Sequence, residues 1–257
     1  MKDERLVILP YAPKSATGRE LETAVRGWHR FFYEYPRIVV VGERCKAVDS
    51  LVAEHLVEHI ERPVSNNPDG PEREFASLAR FVIERFGEEY PGFVKTDDDI
   101  YPVNPFSLEH VRTFKWIGSE LKGNPRSGNH FQRAMFNTQR ALIERGLPTV
   151  NYCSHAPRYY ECFWLRRVLE QFDCEHFPHL IEPLYFNCVV PEVAEKVNVN
   201  APGNPLKYGI YSPVNMDDLN KAIREGVKWV NHSAPYYDER IIEAVTQRRG
   251  RASFGGL

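Results

Sequence analysis

Three consecutive carboxylates, Asp97-Asp98-Asp99, follow the apolar run Gly92-Phe93-Val94-Lys95-Thr96. Adjacent like charges repel, and a bound cation is the usual compensation. Carboxylate oxygens suit Mg²⁺ or Mn²⁺, hard ions that fill their remaining positions with water and substrate phosphates. Such an ion, shared between an aspartate and a diphosphate, neutralises a leaving nucleotide as its bond breaks. The plain alternative is a solvated acidic turn, because Asp favours turns. On an extended chain alternate side chains share a face, which pairs Asp97 with Asp99 and turns Asp98 the other way. Asp98 and Asp99 as an adjacent pair would serve equally well.

Among the histidines, His155 has the most promising surroundings. The sequence predicts a strand over 148–153 before it and a helix over 158–172 after Ala156-Pro157. In that place its ring can face the ligand end of a parallel sheet; a hydrogen-bonded core histidine is the alternative. His55, Glu58 and His59 match the H-x-x-E-H order of some zinc proteases, yet no third ligand accompanies them. Arg19 and Lys95 are candidate diphosphate partners. Arg19 belongs to the first turn of a helix, where amide donors and the dipole favour anions, although exposed arginines are commonly only solvated. Tyr11 can stack on a nucleobase or simply pack. Trp116, with Arg112 and Lys115, could line an acceptor groove. Lys122, Arg126, His130 and Arg133 flank a loop over 120–129, rich in Gly, Asn, Pro and Ser, that could close as a lid.

These residues need a scaffold, and the apolar pattern supplies one. Leu6 to Leu9 and Ile38 to Val41 are continuous apolar runs, as parallel strands buried on both faces are. Between them Leu21, Val25, Trp28 and Phe32 recur at one-turn intervals behind Thr17-Gly18-Arg19-Glu20, which has capping-box spacing. A helix is expected over 48–58, then an extended piece over 59–64. Asp69-Gly70-Pro71 reads as the start of another helix, with the stripe Phe75, Leu78, Ala79, Val82 and Phe86. The order is β-α-β-α-β-α-β, an α/β chain with a mostly parallel sheet flanked by helices. The second half is less regular: a helix over 130–145, an extended stretch over 182–190, a helix over 217–225, a strand over 227–230 and a last helix over 238–248. Ser154 to Glu161 echoes His232 to Glu239; we read this as shared helix-entry chemistry and not as a repeat.

Composition bounds the function classes. The chain has 257 residues, 42% of them hydrophobic and 26% charged, with a formal net charge of -2. That is ordinary globular composition with no global basic field for a polyanion. The five cysteines form no CxxC pair and read as reduced and mostly buried. Without an 18-residue apolar run, no transmembrane segment is expected; the reading is cytoplasmic, with any membrane role peripheral.

With these residues in view, the chain resembles the GT-A glycosyltransferases and, more narrowly, the Stealth family of sugar-phosphate transferases and small bacterial and phage relatives. The segments that carry the likeness are GRELETAVRGWHRFFYEYPRIVVVGE, FVKTDDDIYPVNPF and SHAPRYYECFWLRRVLEQF, with a weaker match in WVNHSAPYYDERIIEAVTQRRGRASF. Asp97 stands where that family commonly has Asn, and Asn231-His232 where it has Asn-Asp. The resemblance implies a single GT-A-like domain, with a nucleotide-sugar half over 1–106 and an acceptor half over 107–257. It implies a nucleotide-sugar donor held near Pro10, Tyr11, Arg19, Lys95, Asp97 and Asp98. Mn²⁺ or Mg²⁺ would sit on Asp97 and Asp99, with His155 as a further ligand or a base. Asp98, Glu161 and Glu182 are candidate carboxylate bases, and Trp116, Arg126 and His130 would meet the acceptor. The implied reaction is sugar transfer to an acceptor hydroxyl. The alternative is sugar-1-phosphate transfer from the same donor. The acceptor would be a surface glycan or, as the lesser option, a hydroxymethylated DNA base.

Overall fold

Leu6 to Leu9 and Val39 to Val41 contain no polar residue, and both runs become buried parallel strands in the computed structural model. The structure describes residues 4–13, 18–62, 71–174, 176–189 and 196–247. In chain order the elements begin β1 (Glu4–Tyr11), α1 (Glu20–Phe31), β2 (Tyr35–Gly42), α2 (Lys46–Ala53), β3 (Glu58–Glu61), α3 (Pro71–Phe86) and β4 (Gly92–Lys95). They continue with β5 (Ile100–Pro102), α4 (Leu108–Arg112), β6 (Phe114–Trp116), α5 (His130–Ile143), β7 (Arg158–Glu161), α6 (Cys162–Gln171) and α7 (Ile181–Val189). The last are β8 (Lys196–Asn198), β9 (Lys207–Ile210), α8 (Met216–Arg224), β10 (Trp229–His232) and α9 (Glu239–Thr246).

The main sheet has five strands in the order β3-β2-β1-β4-β7. β1 runs parallel to β2 and β2 to β3, while β7 is antiparallel to β4. Smaller sheets are β5-β10-β9 and β6-β8. The chain is therefore α/β with a mostly parallel sheet flanked by helices, as the apolar pattern implied. Thr17, Val64, Asp69 and Gly70, named above for a cap, a strand end and a helix start, lie outside the described residues.

The chain divides into two compact units, each assembled from separate segments. The first comprises Met1–Arg62, Thr96–His110 and Gly203–Leu257. Its core is aromatic: Trp28 meets Phe32 and Phe106 edge-on at 5.1 and 5.0 Å, and Phe106 meets Trp229 at 5.3 Å. Here β2 ends on Gly42 because a Cβ would fall 1.8 Å from the Tyr11 carbonyl oxygen, inside any contact limit. The second unit comprises Pro63–Lys95 and Val111–Pro202. It is centred on Tyr160, whose ring lies 5.7 Å from Phe93, 5.0 Å from Tyr185 and 5.8 Å from Phe186.

Four expectations from the sequence are corrected. The segment 148–153 is irregular, with a single bridge from Glu120 to Val150, because its backbone groups are taken by side chains and by the 117–121 segment. Residues 158–161 form β7 before the helix starts at Cys162, since Tyr159 and Tyr160 pair with Val94 and Phe93. The stretch from Glu182 is helical, Pro183 being tolerated in the first turn where no intrahelical N–H is needed. The helix expected over 48–58 stops at Ala53. His55 adopts φ 58° beyond it and His59 belongs to β3, so these histidines do not share a helical face.

Candidate metal centre

Asp97 and Asp99 belong to the first compact unit, just beyond β4, and His155 to the second, three residues before β7. In the second unit β4 and β7 pair antiparallel, with Lys95 opposite Arg158.

The aspartates are presented by a turn and not by an extended strand. The Ile100 amide donates to the Asp97 carbonyl at 3.2 Å, closing a β-turn over 97–100 between β4 and β5. The Thr96 amide just before it is bonded to the Ile8 carbonyl of β1 at 3.1 Å. All three aspartates remain partly accessible. Glu20 adds a further carboxylate that the sequence disclosed only as a helix cap: it is 3% exposed and accepts from the Gly18 amide at 2.6 Å. Burial, then the charges of Asp99, Asp97 and Glu20, push the Asp98 carboxyl up to about 7. Burial and the Glu20, Asp99 and Asp98 charges likewise raise the Tyr101 phenol. An excess of negative charge at a partly buried turn is an environment that a cation relieves.

His155 sits in a loop of unusual backbone. Its φ is 43°, the left-handed region that non-glycine residues enter at a cost of about 1–2 kcal/mol. The expected helix does not follow it; β7 does. The two carboxylates Asp97 and Asp99 on one turn suit a hard divalent ion such as Mg²⁺ or Mn²⁺, which takes oxygen ligands.

The remaining candidates are distributed more widely. Tyr11 is buried, its phenol raised by burial and by Cys45, which places it in packing; Pro10 is partly exposed beside it on β1. Arg19 is half-exposed, 3.8 Å from Glu239, at a cavity of about 490 Å³ along α1. The Lys95 ammonium lies 5.2 Å over the Phe75 ring. Trp116 is on β6, paired with Asn198.

Two residues expected beside Trp116 in an acceptor groove are engaged elsewhere. Lys115 is 4% exposed and donates to the Val111 and Thr113 carbonyls, both at 2.7 Å. Burial and then the Arg158 charge hold its ammonium well below the usual lysine range. Arg112 stacks 4.4 Å over Tyr159. Arg126 is exposed and His130 opens α5.

The expected lid is pinned at several points. Arg133 donates to the Ser127 and Gly128 carbonyls at 2.9 and 3.0 Å, and Asn129 caps α5. A Cβ on Gly123 would fall 2.0 Å from the Phe136 amide nitrogen, so the loop lies flat against the helix. Lys122 lines a cavity of about 470 Å³ with Ser119, Glu120, Gln132, Met135 and Asn151. His232 is 1% exposed and bonds the Tyr101 hydroxyl at 2.8 Å, a core role. Among the carboxylate bases considered, Glu182 is engaged by Arg158 at 2.5 Å, whereas Glu161 is exposed. All five cysteines are free thiols, Cys162 and Cys174 buried and the others partly accessible. No helix among the described residues is long and apolar enough to cross a membrane.

The chain matches no known family model and no curated protein.

Proposed function

We propose that this chain is a divalent-cation-dependent transferase whose donor is a nucleotide-diphosphate sugar. The observation that carries the reading is the turn of three carboxylates at Asp97–Asp99, closed by the Ile100 amide, whose negative charge the buried Glu20 adds to. Ligands of α/β sheets bind beyond the carboxyl ends of their strands, and the Asp97–Asp99 turn leaves β4 at that end. The likeness to GT-A glycosyltransferases supports the donor class, because the same aspartates carry it. Asp97 and Asp99 would hold Mn²⁺ or Mg²⁺, which when bound supplies charge neutralisation at the donor diphosphate. Asp98, the carboxylate of the turn outside the ligand set, accepts the acceptor's proton. As the hydroxyl oxygen bonds to the anomeric carbon, the bond from that carbon to the diphosphate breaks and the nucleotide leaves with the electron pair. A carboxyl that titrates near neutrality is matched to that task.

The Stealth likeness favours a second reading, transfer of sugar-1-phosphate, because His155 falls in its H-x-P segment. In that reaction the hydroxyl attacks the phosphorus next to the sugar and a nucleoside monophosphate leaves.

A panel of nucleotide sugars incubated with Mn²⁺, with and without chelator, tests both. Chelator-sensitive release of nucleoside diphosphate supports glycosyl transfer, and of monophosphate the second reading. Turnover undiminished by chelator, or no turnover of any donor, would remove the proposal.

A further inference from the structure

The second unit holds a polar cavity of about 470 Å³ that takes no part in the chemistry above. Part of its wall forms where the 117–121 segment lies against 149–151. The Asn151 amide donates to the Ser119 carbonyl at 3.0 Å, the Ile117 amide to the Asn151 carbonyl at 3.1 Å, and the Leu121 amide to the Thr149 carbonyl at 2.8 Å. Helix α5 supplies Gln132 and Met135, three positions apart and so neighbours on one helical face. A Cβ on Gly123 would fall 2.6 Å from the Gln132 carbonyl oxygen, so the chain next to Lys122 is held against that helix.

Asn151 marks the cavity as a built site. It lines the cavity and is 4% exposed. Its Oδ1 accepts from the Cys153 amide at 3.1 Å, which fixes the orientation of the side-chain amide. Nδ2, with two N–H donors, is neither bonded to a protein group nor sealed from solvent among the described residues. A largely buried amide keeps open donors where water or a ligand supplies the acceptor.

The other lining groups set the chemistry of that ligand. Glu120 offers carboxylate oxygens, Lys122 an ammonium, Ser119 a hydroxyl and Gln132 an amide, with a formal charge that sums to zero. One ammonium balanced by one carboxylate gives no field for a phosphate, and one carboxylate is too few oxygen ligands for a hard cation. The mixture suits a neutral molecule whose groups each donate and accept, as adjacent hydroxyls do. Met135, 7% exposed, adds a polarisable contact for the C–H face of a ring. The volume falls within the range of about 300–1,000 Å³ usual for small-ligand sites.

We propose that this cavity is a saccharide-binding site, in which Asn151 Nδ2 and the Gln132 amide hold adjacent hydroxyls of a neutral sugar. Every lining residue belongs to the second unit, and the site needs neither the aspartates nor a nucleotide sugar. It therefore goes beyond the transferase reading and stands apart from it.

The test is saturation-transfer NMR on the whole chain with neutral oligosaccharides of glucose, galactose, mannose and N-acetylglucosamine. Nucleotide sugar and divalent ions are left out, and calorimetry follows for any oligosaccharide that binds. At least one should bind wild type, and Asn151→Asp should weaken it by about tenfold, the scale of one lost hydrogen bond. That substitution keeps an oxygen for the Cys153 amide and exchanges the donor for an acceptor. Should Asn151→Asp fail to melt cooperatively, Gln132→Ala, at a partly exposed position of α5, should show a loss of similar size. Absence of saccharide binding to wild type, or binding that both variants leave unchanged, overturns the inference. So does binding of the zwitterion glycylglycine in place of the saccharides, which would make Glu120 and Lys122 the recognising pair. Donor turnover is measured separately with metal present, so a failure of the transferase reading is distinguishable from a failure of this site.

Discussion

The Asp97–Asp99 turn and the His155 loop are built in opposite ways. The turn is local: four consecutive residues closed by one backbone hydrogen bond, immediately after the strand that delivers it. The loop is assembled from a distance, its shape depending on Arg158, which donates to the Tyr152 carbonyl and the Ser154 hydroxyl, and on Glu182 and Asn187, the last two on a helix that follows in the chain. The difference teaches where robustness lies. A local turn presents its side chains whatever happens elsewhere, whereas a side chain held at a left-handed φ depends on every contact that holds it there. Loss of a carboxylate should therefore remove chemistry and spare the fold. Changes at the loop should mix the two.

The largest effect is expected at the turn. Asp99→Asn keeps the shape and one hydrogen-bonding oxygen but removes an anionic ligand. Metal-dependent turnover should fall by about a thousandfold, the scale of several kcal/mol of withdrawn charge stabilisation. The melting temperature should be unchanged or slightly raised, because like charges at 97–99 repel. Initial rates across a Mn²⁺ titration decide it; full activity with unaltered Mn²⁺ dependence removes the aspartates from the mechanism. Zn²⁺ should substitute poorly for Mn²⁺ at a site rich in carboxylate oxygens.

Next in size is a pH effect confined to the turn. Asp98 has a folded pKa raised to about 7, against an ordinary value of 3.8. The folded state therefore holds this proton more tightly than the unfolded chain. Below about pH 4 both states are protonated and the contribution is complete. As pH rises toward 7 the unfolded chain ionises first, and stability falls by about 3 kcal/mol once partial solvent access is allowed for. Added Mn²⁺ should flatten the slope by cancelling the charges of Asp97 and Asp99. Urea unfolding at pH 4.5 and pH 7, in wild type and Asp98→Asn, reads this directly. Equal slopes in the two proteins would assign the pH dependence elsewhere.

At the loop the contrast is tested by His155→Ala. Loss of an imidazole that binds metal or moves a proton should cut turnover by about a hundredfold, with about 1–2 kcal/mol of destabilisation. A variant that melts far lower yet keeps its rate per folded molecule would make His155 a packing residue.

The same contrast explains what could be read in the sequence. Strands β1 and β2, helices α1 and α3, and the place of the aspartates after β4 were legible because their signals are local: apolar runs, one-turn spacing, adjacent carboxylates. Helix α7 was not. Ile181, Pro183, Leu184, Tyr185, Phe186 and Asn187 are all buried, and a helix covered on every side shows no amphipathic period. β7 was missed because Arg158 to Glu161 is short and runs straight into α6. His155 was singled out for a strand before it and a helix after it, whereas an irregular segment precedes it and β7 follows. Glu20 carried only a capping signal, and nothing in its surroundings along the chain marks a buried carboxylate. Arg158 looked like one more basic residue at a helix start. Such roles depend on long-range register, here Lys95 opposite Arg158, which spacing along the chain does not encode.

The smallest effect separates the loop's backbone from its side chain. His155→Gly and His155→Ala both lack the imidazole, so their residual turnover should be the same. They differ in how they tolerate φ 43°: glycine occupies the left-handed region freely, while a Cβ crowds the neighbouring carbonyl. If Arg158 and its partners hold the turn whatever side chain it bears, the glycine variant should be the more stable by about 1 kcal/mol. Paired thermal melts on the two variants measure that difference. If alanine proves as stable as glycine, the loop has relaxed to an ordinary backbone once the ring is gone. The left-handed turn would then be a consequence of where the imidazole packs and not a conformation imposed by Arg158. The loop would be as local in its construction as the aspartate turn, and the contrast between the two regions would disappear.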